Sequence, residues 1–138
     1  MIKLIEPLKK LLIDGISISG EEVEEQLFGG FCECGGVMYQ RFWFTRDSEK
    51  ILVSECEKCW KHKAMIFNSY SFVSHQNVDV LGKYDFIEFL KETLGSREFE
   101  ALVKKAKNED FDPISYSKAK KLLASMNLDV EEVLEQVQ

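Results

Sequence analysis

An α+β fold is what this sequence predicts: a three-stranded antiparallel sheet clamped by a metal ion, with N-terminal helices before it and a C-terminal helical bundle after it. Three observations predict it. Two close cysteine pairs are separated by 21 residues. Ten of the 16 aromatic residues fall between Phe28 and Phe72. Apolar residues recur at helical spacing on both sides of that segment. The expected divisions are 1–30, an N-terminal helical segment; 31–75, the metal-clamped sheet; and 76–138, a C-terminal helical region.

Each element has its own signal. Leu4, Leu8, Leu11 and Leu12 repeat with helical period, and Gly15 ends the pattern. Ser19-Gly20-Glu21-Glu22 reads as a capping box for a second short helix with Val23, Leu27 and Phe28 on one face. Val37 to Thr45, Ile51 to Val53 and Ala64 to Val73 are rich in β-formers, and Arg46 to Lys50 is a polar connector of hairpin length. Both faces of the first strand are apolar, which predicts a sheet covered on both sides by the helices. From Tyr84 the period is helical again: Phe86, Ile87, Phe89, Leu90 and Leu94 precede Gly95. Ser96 caps a second helix, Asp112-Pro113 starts a third, and Asp129 with Glu132 makes a capping box for a last one.

Composition excludes several classes. The formal net charge is −6, whereas a protein that coats DNA should be basic over its binding face. No apolar run reaches the length of a spanning helix, and the charged residues among the first leucines do not fit a signal peptide. The expected location is the cytoplasm. No Gly-rich phosphate loop or nucleophile elbow is present, so no enzyme is expected.

The cysteines carry the strongest signal. Cys32-Glu33-Cys34-Gly35-Gly36 and Cys56-Glu57-Lys58-Cys59 place four thiolates at the ends of a hairpin, where zinc accepts four sulfurs tetrahedrally at about 2.3 Å each. Gly35 suits a tight turn that needs positive φ; the second pair has Trp60 in the comparable place. Cys32 and Cys34 are too close in sequence for an unstrained disulfide. Cys56 and Cys59 follow a strand and not the helix start of a redox pair. Iron accepts the same four ligands, so it stands second to one structural zinc ion. His62 and His75 read as ordinary polar residues. A closed four-sulfur site also leaves no position for a reactive water.

On these cysteines and the hairpin between them, residues 31–73 resemble the zinc-ribbon superfamily. The resemblance implies an accessory factor in transcription, translation or RNA processing. Within that superfamily the transcript-cleavage factors carry an acidic pair beside an arginine on the same connector, which enters RNA polymerase and helps hold magnesium. Arg46, Asp47 and Glu49 occupy that place here, with Ser48 between the acids.

The resulting expectation is a non-catalytic zinc-ribbon adaptor for a protein or nucleoprotein partner. The first rival is direct binding of RNA or single-stranded DNA, with Trp43 and Trp60 stacking on bases beside Arg41, Arg46, Lys58, Lys61 and Lys63. The second is transcript cleavage through Asp47 and Glu49.

Overall fold

Asp-Gly between two apolar runs favours a two-residue hairpin, because a type I′ turn needs positive φ at both central positions. In the computed structural model, which describes residues 1–138, Asp14 has φ 51° and Gly15 φ 83°. They join β2 (Lys10–Ile13) to β3 (Ile16–Glu22). Before them, β1 (Ile2–Ile5) pairs antiparallel with β2, Ile2 opposite Ile13 and Leu4 opposite Leu11. A short 3₁₀ turn, Glu6–Leu8, holds Pro7 between the two. The expected N-terminal helices are therefore strands. Their leucines satisfy helical spacing, but each apolar run is only about a strand long, and Asp14-Gly15 is a hairpin rather than a helix stop. The presumed capping box at Ser19–Glu22 lies within β3.

The rest of the sheet follows as β4 (Phe28–Phe31), β5 (Val37–Arg46), β6 (Glu49–Cys56), β7 (His62–Phe67) and β8 (Phe72–Leu81). The strand order is β3-β2-β1-β8-β7-β6-β5-β4, and β3 also pairs with β5. That extra pairing sets Gly20 opposite Phe44 and Glu22 opposite Phe42. It closes seven strands into a barrel, with β4 laid along the remaining length of β5. A three-stranded ribbon is thus corrected to a closed barrel. Gly20 permits the closure, since a Cβ there would overlap the Trp43 carbonyl oxygen and the Phe44 ring.

Closure buries the inward face of each strand. Phe42, Phe44, Ile51, Val53, Ala64, Ile66 and Val78 fill the interior together with Ile2, Leu4, Leu11 and Ile13 of the N-terminal strands. A bulge between Gln40 and Phe42 shifts the register of β5 against β6. Met38, on the other side of that bulge, instead packs with Cys32 and Cys56 in a separate small cluster.

Two compact units are present: Met1–Ile5, Lys9–Asp14 and Ile18–Val80 form the first, and Glu6–Leu8, Gly15–Ser17 and Leu81–Gln138 the second. The second unit contains α1 (Lys83–Leu94), α2 (Ser96–Ala106), α3 (Pro113–Ser125) and α4 (Val130–Gln136). Gly95, at φ 93°, separates the first two. Asp112 and Asp129 cap the last two by accepting from the amides of Ile114 and Glu131. Phe86, Leu90, Leu102, Ala119, Leu123 and Val133 are the fully buried helical side chains. No helix is long and apolar enough to cross a membrane.

Candidate metal centre

The cysteines reach one point from two turns. Cys32 and Cys34 follow β4, and Gly35 adopts φ 91° as the chain doubles back; the Gly35 amide donates to the Cys32 carbonyl at 3.0 Å and the Cys32 amide to Gly36 at 2.9 Å. Cys56 ends β6 and Cys59 lies in the next turn. The four Sγ atoms lie within 4.8 Å of one another. Cys32 to Cys59 is 3.6 Å and Cys34 to Cys56 is 3.5 Å. A tetrahedron with arms of about 2.3 Å has edges of about 3.8 Å, so the set fits a four-sulfur metal ion. These distances exceed a sulfur–sulfur bond of about 2.0 Å, and all four cysteines are free.

Backbone amides prepare one sulfur for a cation. The amides of Cys59 and Lys58 donate to Cys56 Sγ at 3.4 and 3.3 Å. They hold the Cys56 thiol down at about 6, against the opposing effect of burial. Cys34 goes the other way: the Gly36 amide favours its thiolate, but desolvation and the neighbouring sulfurs outweigh it and push the thiol up to about 11. A small cavity of about 120 Å³ beside the sulfurs is lined by Glu33, Lys61, Lys63 and Asn77. Lys63 is almost buried, and its Nζ donates to Glu33 at 3.2 Å. That bond, with the lysine charge, holds the Glu33 carboxyl below its ordinary value.

The remaining expected site residues do not form one surface. Trp60 is 69% exposed and Lys58 and Lys61 are exposed beside it. Trp43 is half-buried; its Nε1–H donates to Gln40 at 3.0 Å and its ring lies 6.1 Å from Phe67. Arg41 lies at the β5 bulge, within 3.5 Å of Glu55 and 2.9 Å of His62 Nε2. Arg46 donates to Glu49 at 2.9 Å, and Asp47 takes φ 54° in the turn between β5 and β6. The Glu49 carboxylate is thus engaged by an arginine, a poor arrangement for sharing a cation with Asp47.

Sequence reasoning missed three things here. His62 and Glu55 form a network with Arg41 directly behind the second cysteine turn. Phe28 and Phe31 are exposed, 55% and 78%, with ring centroids 5.1 Å apart. Trp60 adopts φ 67°, a conformation that the absence of glycine after Cys59 concealed.

The barrel and the four helices are each matched in known proteins. The description "AF0631-like N-terminal beta-barrel domain" fits residues 1–80, and "AF0631-like C-terminal four-helix domain" fits residues 83–136. The chain belongs to the AF0631-like family. An uncharacterized protein of Archaeoglobus fulgidus is 82% identical over 137 residues, covering 99% of both chains. No solved structure matches. The family assignment, with the closed barrel, overturns the zinc-ribbon resemblance. Two cysteine pairs flanking a hairpin are shared by both folds, which is why the motif misled. The link to transcription, translation or RNA processing rested on that resemblance and is not carried forward.

Proposed function

We propose that Cys32, Cys34, Cys56 and Cys59 hold one structural zinc ion, and that this AF0631-like protein is a non-catalytic adaptor for a protein partner. The observation that carries the metal is the convergence of four sulfurs within 4.8 Å. The residues fit zinc by donor type, number and spacing, and four sulfurs fill a tetrahedral ion. The ion's role is then to hold the end of the barrel, and the work falls to the surface around it.

That surface favours contact with another macromolecule. Phe31 precedes Cys32 and Trp60 follows Cys59, and both rings are largely exposed. With Phe28 they border the metal end, where apolar surface of this kind marks binding sites. The net charge of −6 favours a protein over a nucleic acid. Elemental analysis of reduced, purified protein tests the metal: one zinc per chain is expected, and no metal ends the proposal. A pull-down from native extract, with and without nuclease, tests the partner, using Phe31→Ser and Trp60→Ser as controls. A partner retained after nuclease and lost in both variants is expected.

One observation favours a second reading, binding of single-stranded RNA or DNA: Trp60 stands exposed between Lys58 and Lys61. Trp43 is half-buried, so Trp60 is the natural reporter. Quenching of its fluorescence by oligonucleotides, strongest at low salt, supports this reading; none at low salt ends it.

A further inference from the structure

We infer that His62 is a positioning residue for the metal site: its ring holds the Cys56–Cys59 turn in the shape that brings both sulfurs to the ion. The inference rests on the four-cysteine reading above and extends it to a residue outside the four cysteines.

The turn has an unusual member. Trp60 has φ 67°, a left-handed conformation that bulky side chains rarely adopt. Its ring is mostly in solvent, so side-chain packing gives little to hold that backbone. The turn's own hydrogen bonds depend on it. The Trp60 amide donates to the Cys56 carbonyl at 3.1 Å, and the Cys56 amide donates to Lys61 at 2.9 Å across the closed loop. Opening at Trp60 would therefore move Cys59 away from Cys56, along with the amides that face Cys56 Sγ.

His62 supplies the missing restraint. Its Nδ1 is 3.1 Å from the Trp60 carbonyl oxygen. A carbonyl oxygen only accepts, so Nδ1 carries the proton and donates. The far side of the ring is held equally firmly. Nε2 lies 2.9 Å from Glu55 Oε2 and 2.9 Å from Arg41 Nη1, and these two are 3.5 Å apart. If the ring is neutral, Arg41 donates into Nε2; if it is charged, Nε2 donates to Glu55. Nδ1 donates to Trp60 in both cases. The register adds a third constraint, because Glu55 on β6 stands directly opposite His62 on β7. Glu55 precedes Cys56, so ring, strand and cysteine turn are joined within a few residues. His62 is itself buried to 9% exposure, which keeps water from competing for these bonds.

This arrangement makes a chemical distinction that simple packing would not. Asparagine places an N–H near the position of Nδ1, whereas glutamine places its amide near Nε2. His62→Asn should keep the bond to Trp60, and His62→Gln should lose it. Glycine at position 60 removes the need for the bond altogether, since it adopts φ near 67° without strain.

The test uses the full chain and cobalt(II) alone as the probe, followed by zinc(II) competition against a chromophoric chelator. The sulfur-to-cobalt charge-transfer band reports occupancy. We expect His62→Gln to weaken binding by about 10- to 100-fold, the usual cost of losing such a supporting bond. His62→Asn should stay close to the wild type, and Trp60→Gly combined with His62→Gln should recover the loss. Equal binding by all variants overturns the role, and so does an equal loss in the asparagine and glutamine variants, which would indicate packing alone. A double variant that fails to recover overturns it too. A wild-type chain that shows no charge-transfer band instead removes the metal reading itself, and with it any such role.

Discussion

Chelation of the metal should melt one end of the barrel and leave the rest folded. The structure separates two clusters. One is the metal end, with Cys32, Met38 and Cys56 buried and Cys59 packed against them. The other is the barrel interior, where Phe42, Phe44 and Ile51 are among the fully buried side chains. Each such side chain contributes about 1.5–3 kcal/mol on burial, with no involvement of the ion. The metal contributes through linkage instead: zinc at 100 times its dissociation constant adds about 2.7 kcal/mol to the folded state. For a domain the size of residues 1–80, each kcal/mol moves Tm by about 4–8 °C. Removing the ion should then lower the barrel's Tm by roughly 10–20 °C. Amide hydrogen exchange locates the change. The amides of Cys32, Gly35, Lys58, Cys59 and Trp60, which close the two turns, should exchange rapidly after chelation. Amides of β1, β2 and the Ile51–Val53 stretch of β6 should remain protected. Loss of protection throughout the barrel would refute the separation of the two clusters, and an unchanged Tm would refute metal binding.

Other outcomes are specific to single groups. Gly20→Ala should destabilise the barrel by about 1–3 kcal/mol, seen as a lower denaturant midpoint, because the new Cβ meets the Trp43 carbonyl at the closing pair. Metal retention should fall as pH drops, because protons compete with the ion for the four thiolates; a zinc indicator dye follows the release. The sign in the metal-free chain is the same for Cys56: its depressed thiol adds stability present above the unfolded value near 9 and lost as pH falls through about 6. In the helical unit, the Asp112 carboxylate accepts from Ser115 Oγ at 2.7 Å and from the Ile114 amide at 3.3 Å, and its pKa is lowered first by the Ser115 bond. Its contribution is present above the unfolded value and lost as pH falls through the lower folded one, so Asp112→Asn should flatten the acid limb of the helical melting curve.

The cysteine cluster was legible because its signal is local: spacing alone limits what four thiols at the ends of a hairpin can do. Two of the four expected caps were legible for the same reason, whereas Ser19 lies in a strand and Ser96 is the first residue of α2 with Gly95 before it as the cap. Asp112 before Pro113 and Asp129 before Val130 each accept from an amide two residues on. Barrel closure was not legible, because the pairing of Gly20 with Phe44 joins residues far apart in sequence and leaves no periodic trace. The N-terminal strands failed differently. Leu4, Leu8, Leu11 and Leu12 satisfy a helical repeat, yet Asp14-Gly15 was a stronger and more local signal that the repeat obscured. A two-residue turn with a required dihedral should outweigh four leucines whose spacing suits either structure.

The same distinction bears on where this protein keeps its chemistry. The four cysteines are brought together by short-range spacing, whereas Glu55 and Arg41 reach His62 through strand pairing. His62 meets Glu55 and Arg41 only because β5, β6 and β7 lie side by side. Trp60 holds φ 67° with its carbonyl facing the His62 ring two residues further on. The His62 ring thus joins the Trp60 turn to Glu55 and Arg41 on the two neighbouring strands, so the cysteine turn and the sheet beneath it have to be read together.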